Sequence, residues 1–421
     1  MKHDLINTVF MFPGVGSHYT GMGAYLYHRY SMARETFEEA SDTLHLDMTS
    51  LCFSKDQQQQ LNRLEHAQAA LVCVSVAAYR VFVQEMEFEP DAMLGYSLGE
   101  YSALCCAGAA SLSDTLQLVY QRGAIVSRQA AAIDGTMAWV TNLEATVVEE
   151  TCREMSTTAD PVYLSAYDTP YKTSISGSHR MIRAVGEALV ERGGIVIPIQ
   201  MSGPFHSPWM QPAADEFKPL VHSVALRPPR IPVIANWNGR PYGDQVEEVA
   251  TNLVLQLVNP VHWHSSAEYA LQRGMRVAVE IGPKNVLQYL MKSLSPTLRT
   301  FTFDKEKDVL EASRGLFVQD SDYLSIMARC LTAVVAVKNR NASREEYAKY
   351  VMEPYRQIEA RYEALRAAEE RPLYEDAVAA IDMLKLALET KRVPVQEGNH
   401  RMQQALDYKR LKRGERQCIQ K

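Results

Sequence analysis

Apolar positions in the first third of the chain fall in short continuous runs separated by glycine turns. Thr8-Val9-Phe10-Met11-Phe12 predicts a buried strand, broken by Pro13-Gly14 and followed by Gly16, Gly21 and Gly23. Residues 66–83, rich in Ala, Val and Leu, predict a helix. Ala92-Met93-Leu94 predicts a second strand that enters the turn Gly95-Tyr96-Ser97-Leu98-Gly99, with a helix over Glu100–Ala107. Later strands are expected at Val233–Ala235 and Val277–Ile281, the last one ending at Gly282-Pro283 before another helix. Short apolar strands alternating with helices indicate an α/β fold, with a parallel sheet covered on both faces.

Two stretches depart from that rhythm. Between residues 131 and 202 the pattern reads strand (Met137–Leu143), helix (Ala145–Met155), two strands (Val162–Tyr167, Thr173–Ser176), helix (His179–Arg192) and strand (Ile195–Ile199). That βαββαβ order predicts an inserted ferredoxin-like subdomain. From about residue 320 the strand signal disappears. Tyr323–Lys338, Arg344–Glu370 and Leu373–Leu388 predict long helices, with breaks at Asn341-Ala342-Ser343 and Pro372. Ser343-Arg344-Glu345-Glu346 predicts a capping box. The expected organisation is a large subdomain from residues 1–130 and 203–304, an insertion at 131–202, and a helical C-terminal extension at 305–421 with a basic tail from Lys409.

Composition narrows the function classes. The chain has 421 residues, 47 % hydrophobic and 22 % charged, as in a globular protein and not a disordered one. A net charge of −6 makes no electrostatic case for nucleic acid. The average hides an asymmetry, since residues 305–421 hold 22 Lys+Arg against 19 Asp+Glu while residues 1–304 hold 22 against 31. Seven cysteines form no CxxC pair and no zinc-type Cys/His spacing, so no metal site is expected and reduced thiols of a cytoplasmic protein are. Met1-Lys2-His3-Asp4 leads straight into a short strand, which predicts no signal peptide. No apolar run is expected to reach the roughly 18 residues of a membrane span. Cys418-Ile419-Gln420-Lys421 is a poor prenylation box because of its terminal Lys.

Gly95-Tyr96-Ser97-Leu98-Gly99 fits G-x-S-x-G between a strand and a helix, the context of a nucleophile elbow. Such a turn lifts the serine hydroxyl clear of the sheet, and the helix N-terminus beneath supplies N–H groups for an oxyanion. A base is then required. His206, in Gly203-Pro204-Phe205-His206-Ser207-Pro208, sits on a loop from which an imidazole can enter a cleft; His262 and His264 compete with it. No acidic third member stands out in the order Ser, Asp, His of a standard hydrolase.

Six motifs occur in one order: Phe12-Pro13-Gly14-Val15-Gly16-Ser17, Gly95-Tyr96-Ser97-Leu98-Gly99-Glu100, Gln121-Arg122-Gly123, Pro204-Phe205-His206-Ser207-Pro208, Asn259-Pro260-Val261 and Glu280-Ile281-Gly282-Pro283. Across about residues 8–300 the chain thereby resembles the malonyl-CoA:acyl-carrier-protein transacylase family, which includes the acyltransferase domains of fatty acid and polyketide synthases. The resemblance implies an α/β-hydrolase-like large subdomain with a ferredoxin-like insertion. It also implies that Ser97 forms an acyl ester, that His206 is its base, and that the main-chain carbonyl of Gln256 orients the histidine in place of a carboxylate. The N–H groups of Val15 and Leu98 would form the oxyanion hole. Arg122 would grip the substrate carboxylate in bidentate fashion, selecting malonyl-type over simple acyl groups. Gln68 matches a pocket glutamine that supports the same site.

Some positions depart from the family pattern. Tyr96 stands where a histidine is usual, His18 replaces a glutamine, and Val126 occupies a position where malonyl-selective members often carry Met. Leu98 and Phe205 fit the malonyl type. The pocket is therefore expected to take malonyl or a small polar relative such as aminomalonyl or hydroxymalonyl. Tyr96 and His18 are expected either to hydrogen-bond such a substituent or to reflect different packing.

The long extension resembles that of discrete, trans-acting acyltransferases of hybrid polyketide–nonribosomal peptide pathways, the colibactin line's among them. The expected activity is ping-pong transfer from CoA or a donor carrier protein to phosphopantetheine thiols of carrier domains, with no bound cofactor. Acyl carrier proteins are the expected partners, and neither nucleic acid nor membrane is. A fatty-acid-type transacylase, an acyl hydrolase that clears carriers and a non-catalytic scaffold are the alternatives. The extension is expected either to stabilise the α/β core or to help dock acidic carriers.

Overall fold

The computed structural model describes residues 7–86, 88–199, 203–316, 320–368, 370 and 372–406. Nine strands occur among them: β1 (Thr8–Phe12), β2 (Ala92–Gly95), β3 (Gly135–Thr141), β4 (Tyr163–Thr169), β5 (Lys172–Ser178), β6 (Ile195–Ile199), β7 (Val233–Ile234), β8 (Val277–Ile281) and β9 (Arg299–Phe303). The chain divides into two compact units at Ala312/Ser313. That division falls within the helix Glu306–Gly315, just after the change of character read at 304/305; Val309 and Ala312 of this helix are buried.

In the first unit, five strands form a wholly parallel sheet in the order β7-β2-β1-β8-β9. Every residue of β1, β2 and β8 is buried, as continuous apolar runs require when helices cover both faces. β9 has no counterpart in the sequence reading, because Arg299 and Thr302 interrupt its apolar run. Strand order reverses on either side of β1, and crevices for ligands open at the carboxyl ends of strands near such a reversal. The loops after β1 and β2 both emerge there.

The predicted insertion is a four-stranded antiparallel sheet in the order β4-β5-β3-β6, the arrangement of a ferredoxin-like βαββαβ unit. Helices Ala145–Met155 and Glu191-ending His179–Glu191 bury Val148, Cys152, Val185 and Leu189 against Val140 and Ile175. The sheet's other side leaves Trp139, Ile195 and Ile197 exposed. The apolar helix read at 66–83 runs from Leu64 to Met86. Contrary to the expectation from hydropathy, it is long and apolar enough to cross a membrane, yet 89 % of its most apolar stretch is buried inside the protein. A helix that is apolar all round is satisfied in this way by a core.

The second unit is helical. Its core gathers Met327, Cys330, Ala380, Leu384 and Ala387 from helices Asp320–Ala336 and Tyr374–Thr390. The helix expected over 344–370 is interrupted by a π turn at Ala348–Met352, just before Pro354, which has no N–H to give the helical ladder. The predicted capping box forms by half. Ser343 Oγ accepts from the Glu346 N–H at 3.2 Å, but the Glu346 carboxylate accepts from Asn341 Nδ2 at 2.7 Å, and the Ser343 N–H goes to Asn341 Oδ1. A further helix, Val395–Leu406, has no counterpart in the sequence reading. The basic tail from Lys409 lies outside the described residues.

Candidate active site

The turn after β2 requires its two glycines. A Cβ on Gly95 would come within 2.1 Å of the Glu100 nitrogen, and one on Gly99 within 1.9 Å of the Phe12 carbonyl oxygen. The next helix can therefore start directly against β1. Between them Ser97 adopts φ 51°, a left-handed conformation costly for a residue with a side chain. Asn236, just beyond β7, locks the turn from beneath. Its Oδ1 accepts from the Ser97 N–H at 2.7 Å and its Nδ2 donates to the Gly95 carbonyl at 2.6 Å. The strain is thus held by a buried side-chain amide.

His206 is also left-handed, at φ 55°. Its loop is fixed by Ser207 Oγ donating to the Pro204 carbonyl at 2.6 Å and by Ser176 Oγ of β5 donating to the Phe205 carbonyl at 2.7 Å. His206 Nε2 lies 2.8 Å from Ser97 Oγ, and Nδ1 lies 2.9 Å from the Gln256 main-chain oxygen. A carbonyl can only accept, so Nδ1 carries the proton and Nε2 presents its lone pair to the serine hydroxyl. Burial first, and then the Arg122 charge, push the His206 pKa down to about 4, against the pull of the Gln256 carbonyl. The imidazole is neutral at neutral pH. The competing histidines lie elsewhere: His262 stacks on Tyr167 at 5.0 Å, and His264 pairs with Glu268 at 3.4 Å.

Arg122 is 4 % exposed, on the helix Leu112–Ala132. Gly123 beside it lets this helix cross Leu64–Met86 at backbone contact, since a Cβ there would meet Glu65 Cα at 2.4 Å. The crossing brings Arg122 to Gln68. Its Nη1 donates to Gln68 Oε1 and its Nη2 to Gln256 Oε1, each at 3.0 Å, and the guanidinium lies over the Tyr101 ring at 5.3 Å. Arg122 Nε and Gln68 Nε2 are buried with no partner among the described residues. Val126 is buried one turn further along the same face.

Val15 stands in the loop after β1, its side chain 44 % exposed. Among the described residues neither the Val15 nor the Leu98 N–H donates within the protein. Tyr19, which donates to both oxygens of Asp304, and Lys284 Nζ, which donates to the Gly16 carbonyl at 2.7 Å, anchor that loop. Tyr96 turns its hydroxyl to Asp168 of β4 at 2.7 Å and its ring to Trp263. Phe205 is half-buried. His18 Nδ1 is buried without a partner among the described residues, and burial followed by the Lys284 charge lowers the His18 pKa. Among the described residues no cluster of His, Cys, Asp or Glu is arranged to hold a metal ion.

Sequence reasoning passed over Asn236, Tyr242 and the role of Glu100. Glu100 is fully buried and accepts from the Asn236 N–H at 3.0 Å, the Tyr242 hydroxyl at 2.6 Å and Gln256 Nε2. The one available signal was the polar residue directly after a predicted apolar strand at 233–235.

A strained strand–turn–helix serine facing a neutral imidazole is the apparatus of acyl transfer through a serine ester. Residues 9–309 match the family model described as acyl transferase domain. A malonyl CoA-acyl carrier protein transacylase of Bacillus subtilis is 30 % identical over 395 residues, covering 93 % of this chain and 98 % of that one. The crystal structure of FabD from Acinetobacter baumannii superposes with a TM-score of 0.70 at 32 % identity, over 73 % of this chain and 97 % of that one. A type II PKS acyl-carrier protein in complex with its malonyl-transacylase gives a TM-score of 0.69 at 30 % identity, over 73 % and 98 %. The chain belongs to the malonyl-CoA:acyl-carrier-protein transacylase family and is an acyltransferase. The match to the Bacillus protein is longer than the whole first unit and so takes in C-terminal helices as well.

Proposed function

We propose that this protein moves a malonyl-type unit from CoA or a donor carrier protein to the phosphopantetheine thiol of acyl carrier domains, as a discrete acyltransferase acting in trans on a hybrid polyketide–nonribosomal peptide assembly line of the colibactin kind. The observation that carries the substrate class is Arg122. Its terminal nitrogens rest on two neutral amide oxygens instead of a carboxylate, and its Nε is unspent among the described residues. A buried guanidinium held in this way is ready for the free carboxylate of a malonyl group. The sequence resemblance and the transacylase relatives support the same reading.

In the first half-reaction His206 Nε2 takes the Ser97 proton as Oγ attacks the thioester carbonyl. The Val15 and Leu98 N–H groups receive the oxyanion. On collapse the C–S bond breaks, and the imidazolium returns its proton to the departing thiolate. A carrier thiol then reverses these steps, giving up its proton to His206 and taking the acyl group from Ser97. Gln68, Val126 and Phe205, the pocket residues that the family resemblance implies, would line the acyl side. The Tyr96 hydroxyl is committed to Asp168, which favours a packing role for Tyr96 over recognition of an amino or hydroxy substituent. Malonyl is accordingly the extender favoured.

Incubation of the full chain with malonyl-CoA and a phosphopantetheinylated carrier, followed by intact-mass analysis, tests this reading. A malonyl adduct on Ser97 that passes to the carrier is expected; free malonate without acyl-carrier product would mean a hydrolase. Arg122→Ala should lower acylation by malonyl-CoA about 10- to 100-fold relative to acetyl-CoA, the loss of charge-assisted hydrogen bonds. An unchanged ratio would remove the carboxylate assignment.

A further inference from the structure

Glu100 takes no part in the proton transfers above, yet the groups that orient them converge on it. It lies in the first turn of the helix Gly99–Cys106 with no exposed surface. Oε1 accepts from the Asn236 N–H and the Tyr242 hydroxyl, and Oε2 from Gln256 Nε2. All three partners are donors, so the site is built for a carboxylate that only accepts. Arg122, Tyr101 and Tyr242 are the ionisable groups that act on it. Burial outweighs the three hydrogen bonds and the Arg122 charge, which pull the other way, and its pKa is pushed up to about 7.

The consequence lies in the Gln256 side chain. Its NH₂ is spent on the Ser97 carbonyl at 2.9 Å and on Glu100, which leaves Oε1 as the acceptor for Arg122 Nη2. Turned over, the amide would set oxygen against a carboxylate and a carbonyl, and NH₂ against a guanidinium. Every contact would then be mismatched. A neutral amide has no preferred sense of its own; the carboxylate imposes one together with the Ser97 carbonyl and the guanidinium, and it is the charged acceptor of the NH₂. The same residue's main chain holds His206.

We propose that Glu100 is a positioning residue for acyl selectivity: by fixing the sense of the Gln256 amide it holds Arg122 in the pose that grips a malonyl carboxylate. This rests on the reading of Arg122 given above. A purely structural Glu100 would affect every acyl donor alike, whereas a residue acting through Arg122 affects carboxylated donors more.

Single-turnover acylation of Ser97 in the full-length protein, with malonyl-CoA and acetyl-CoA as separate donors, distinguishes the two. Glu100→Gln is isosteric, and its own amide can present NH₂ to Gln256. It should lower the malonyl-to-acetyl rate ratio roughly tenfold. In a Gln256→Leu background, where the side-chain link is already gone, adding Glu100→Gln should leave the ratio where Gln256→Leu alone puts it. Equal loss with both donors, or a further fall in that background, would overturn the proposal. Should Glu100→Gln not fold, Glu100→Asp keeps the charge and withdraws it from Gln256 by one methylene. The ratio should then drop about threefold, and an unchanged ratio counts against Glu100. Arg122→Ala serves as the control. If it collapses the ratio while the Glu100 variants do not, the inference about Glu100 fails alone; if it does not, the carboxylate reading fails first.

Discussion

The two compact units bury their interiors by different means. In the helical unit the core is apolar, and its one deeply buried charged side chain among the described residues, Lys391, ends a helix: Nζ donates to the Val334 and Val337 carbonyls at 2.5 and 3.1 Å. That is ordinary satisfaction of carbonyls left over at a helix C-terminus. Beneath the Ser97 turn, by contrast, Glu100, Arg122, Asn236 and Gln256 are all buried, and each is hydrogen-bonded to at least one of the others. Apolar packing gives stability with little orientation. A hydrogen-bonded polar network gives orientation, and it leaves further costly unpaired groups once a member is lost.

The largest effect is expected where the polar region meets strained backbone. Gly99→Ala would drive a Cβ to 1.9 Å from the Phe12 oxygen, and a carbonyl in the central strand cannot move aside without moving β1. The variant should lose more than about 3 kcal/mol of stability, the upper range of overpacking costs. Ser97 acylation should fall at least about 100-fold, because the nucleophile leaves its attack geometry. Urea unfolding and intact-mass kinetics measure the two separately. A folded Gly99→Ala protein with full acylation would mean that the elbow is not strained as described.

Leu384→Ala probes the other side of the comparison. Leu384 has no exposed surface in the helical core, and truncating such a leucine costs about 2–5 kcal/mol. The loss should be seen in the unfolding of the helical unit, while Ser97 acylation by malonyl-CoA stays within about twofold of wild type. Parallel loss of acylation would show that the chemistry leans on the apolar unit, and the contrast between the regions would dissolve.

How much of this was legible beforehand follows the same division. Ser97 sits in a turn motif that neighbouring residues make readable, and His206 in a loop motif that left His262 and His264 in competition. Arg122 and Gln256, which lie within helices, came into view only through the family resemblance, and the structure brings all four together. Glu100 was in view but passed as the start of a helix. Its partners Asn236, Tyr242 and Gln256 lie more than a hundred residues away, at distances no local pattern encodes. Tyr96 shows the same limit: its difference from the family was visible, but its explanation, Asp168, belongs to a strand of the inserted sheet. In the fold, continuous apolar strands were readable, whereas β9 alternates and Val395–Leu406 is largely polar.

The smallest expected effect is also the sharpest test of the buried network. An exposed imidazole takes up a proton near pH 6.5, so a base of that kind would be about nine-tenths protonated at pH 5.5 and slowed roughly tenfold. In His206 burial and the Arg122 charge disfavour the imidazolium and bring the pKa down to about 4. Lowering the pKa of a base extends its neutral, active form toward acid, so the acid limb of acylation moves down. Between pH 7.5 and 5.5 the rate of Ser97 acylation by acetyl-CoA should therefore change less than about twofold. Acetyl-CoA is the appropriate donor because it has no carboxylate for Arg122 to hold, which keeps the protonation of Glu100 out of the selectivity term. A limb centred near 6.5 with this donor would show that His206 is as well solvated as a surface histidine, and that the polar region does not impose the electrostatics its geometry implies.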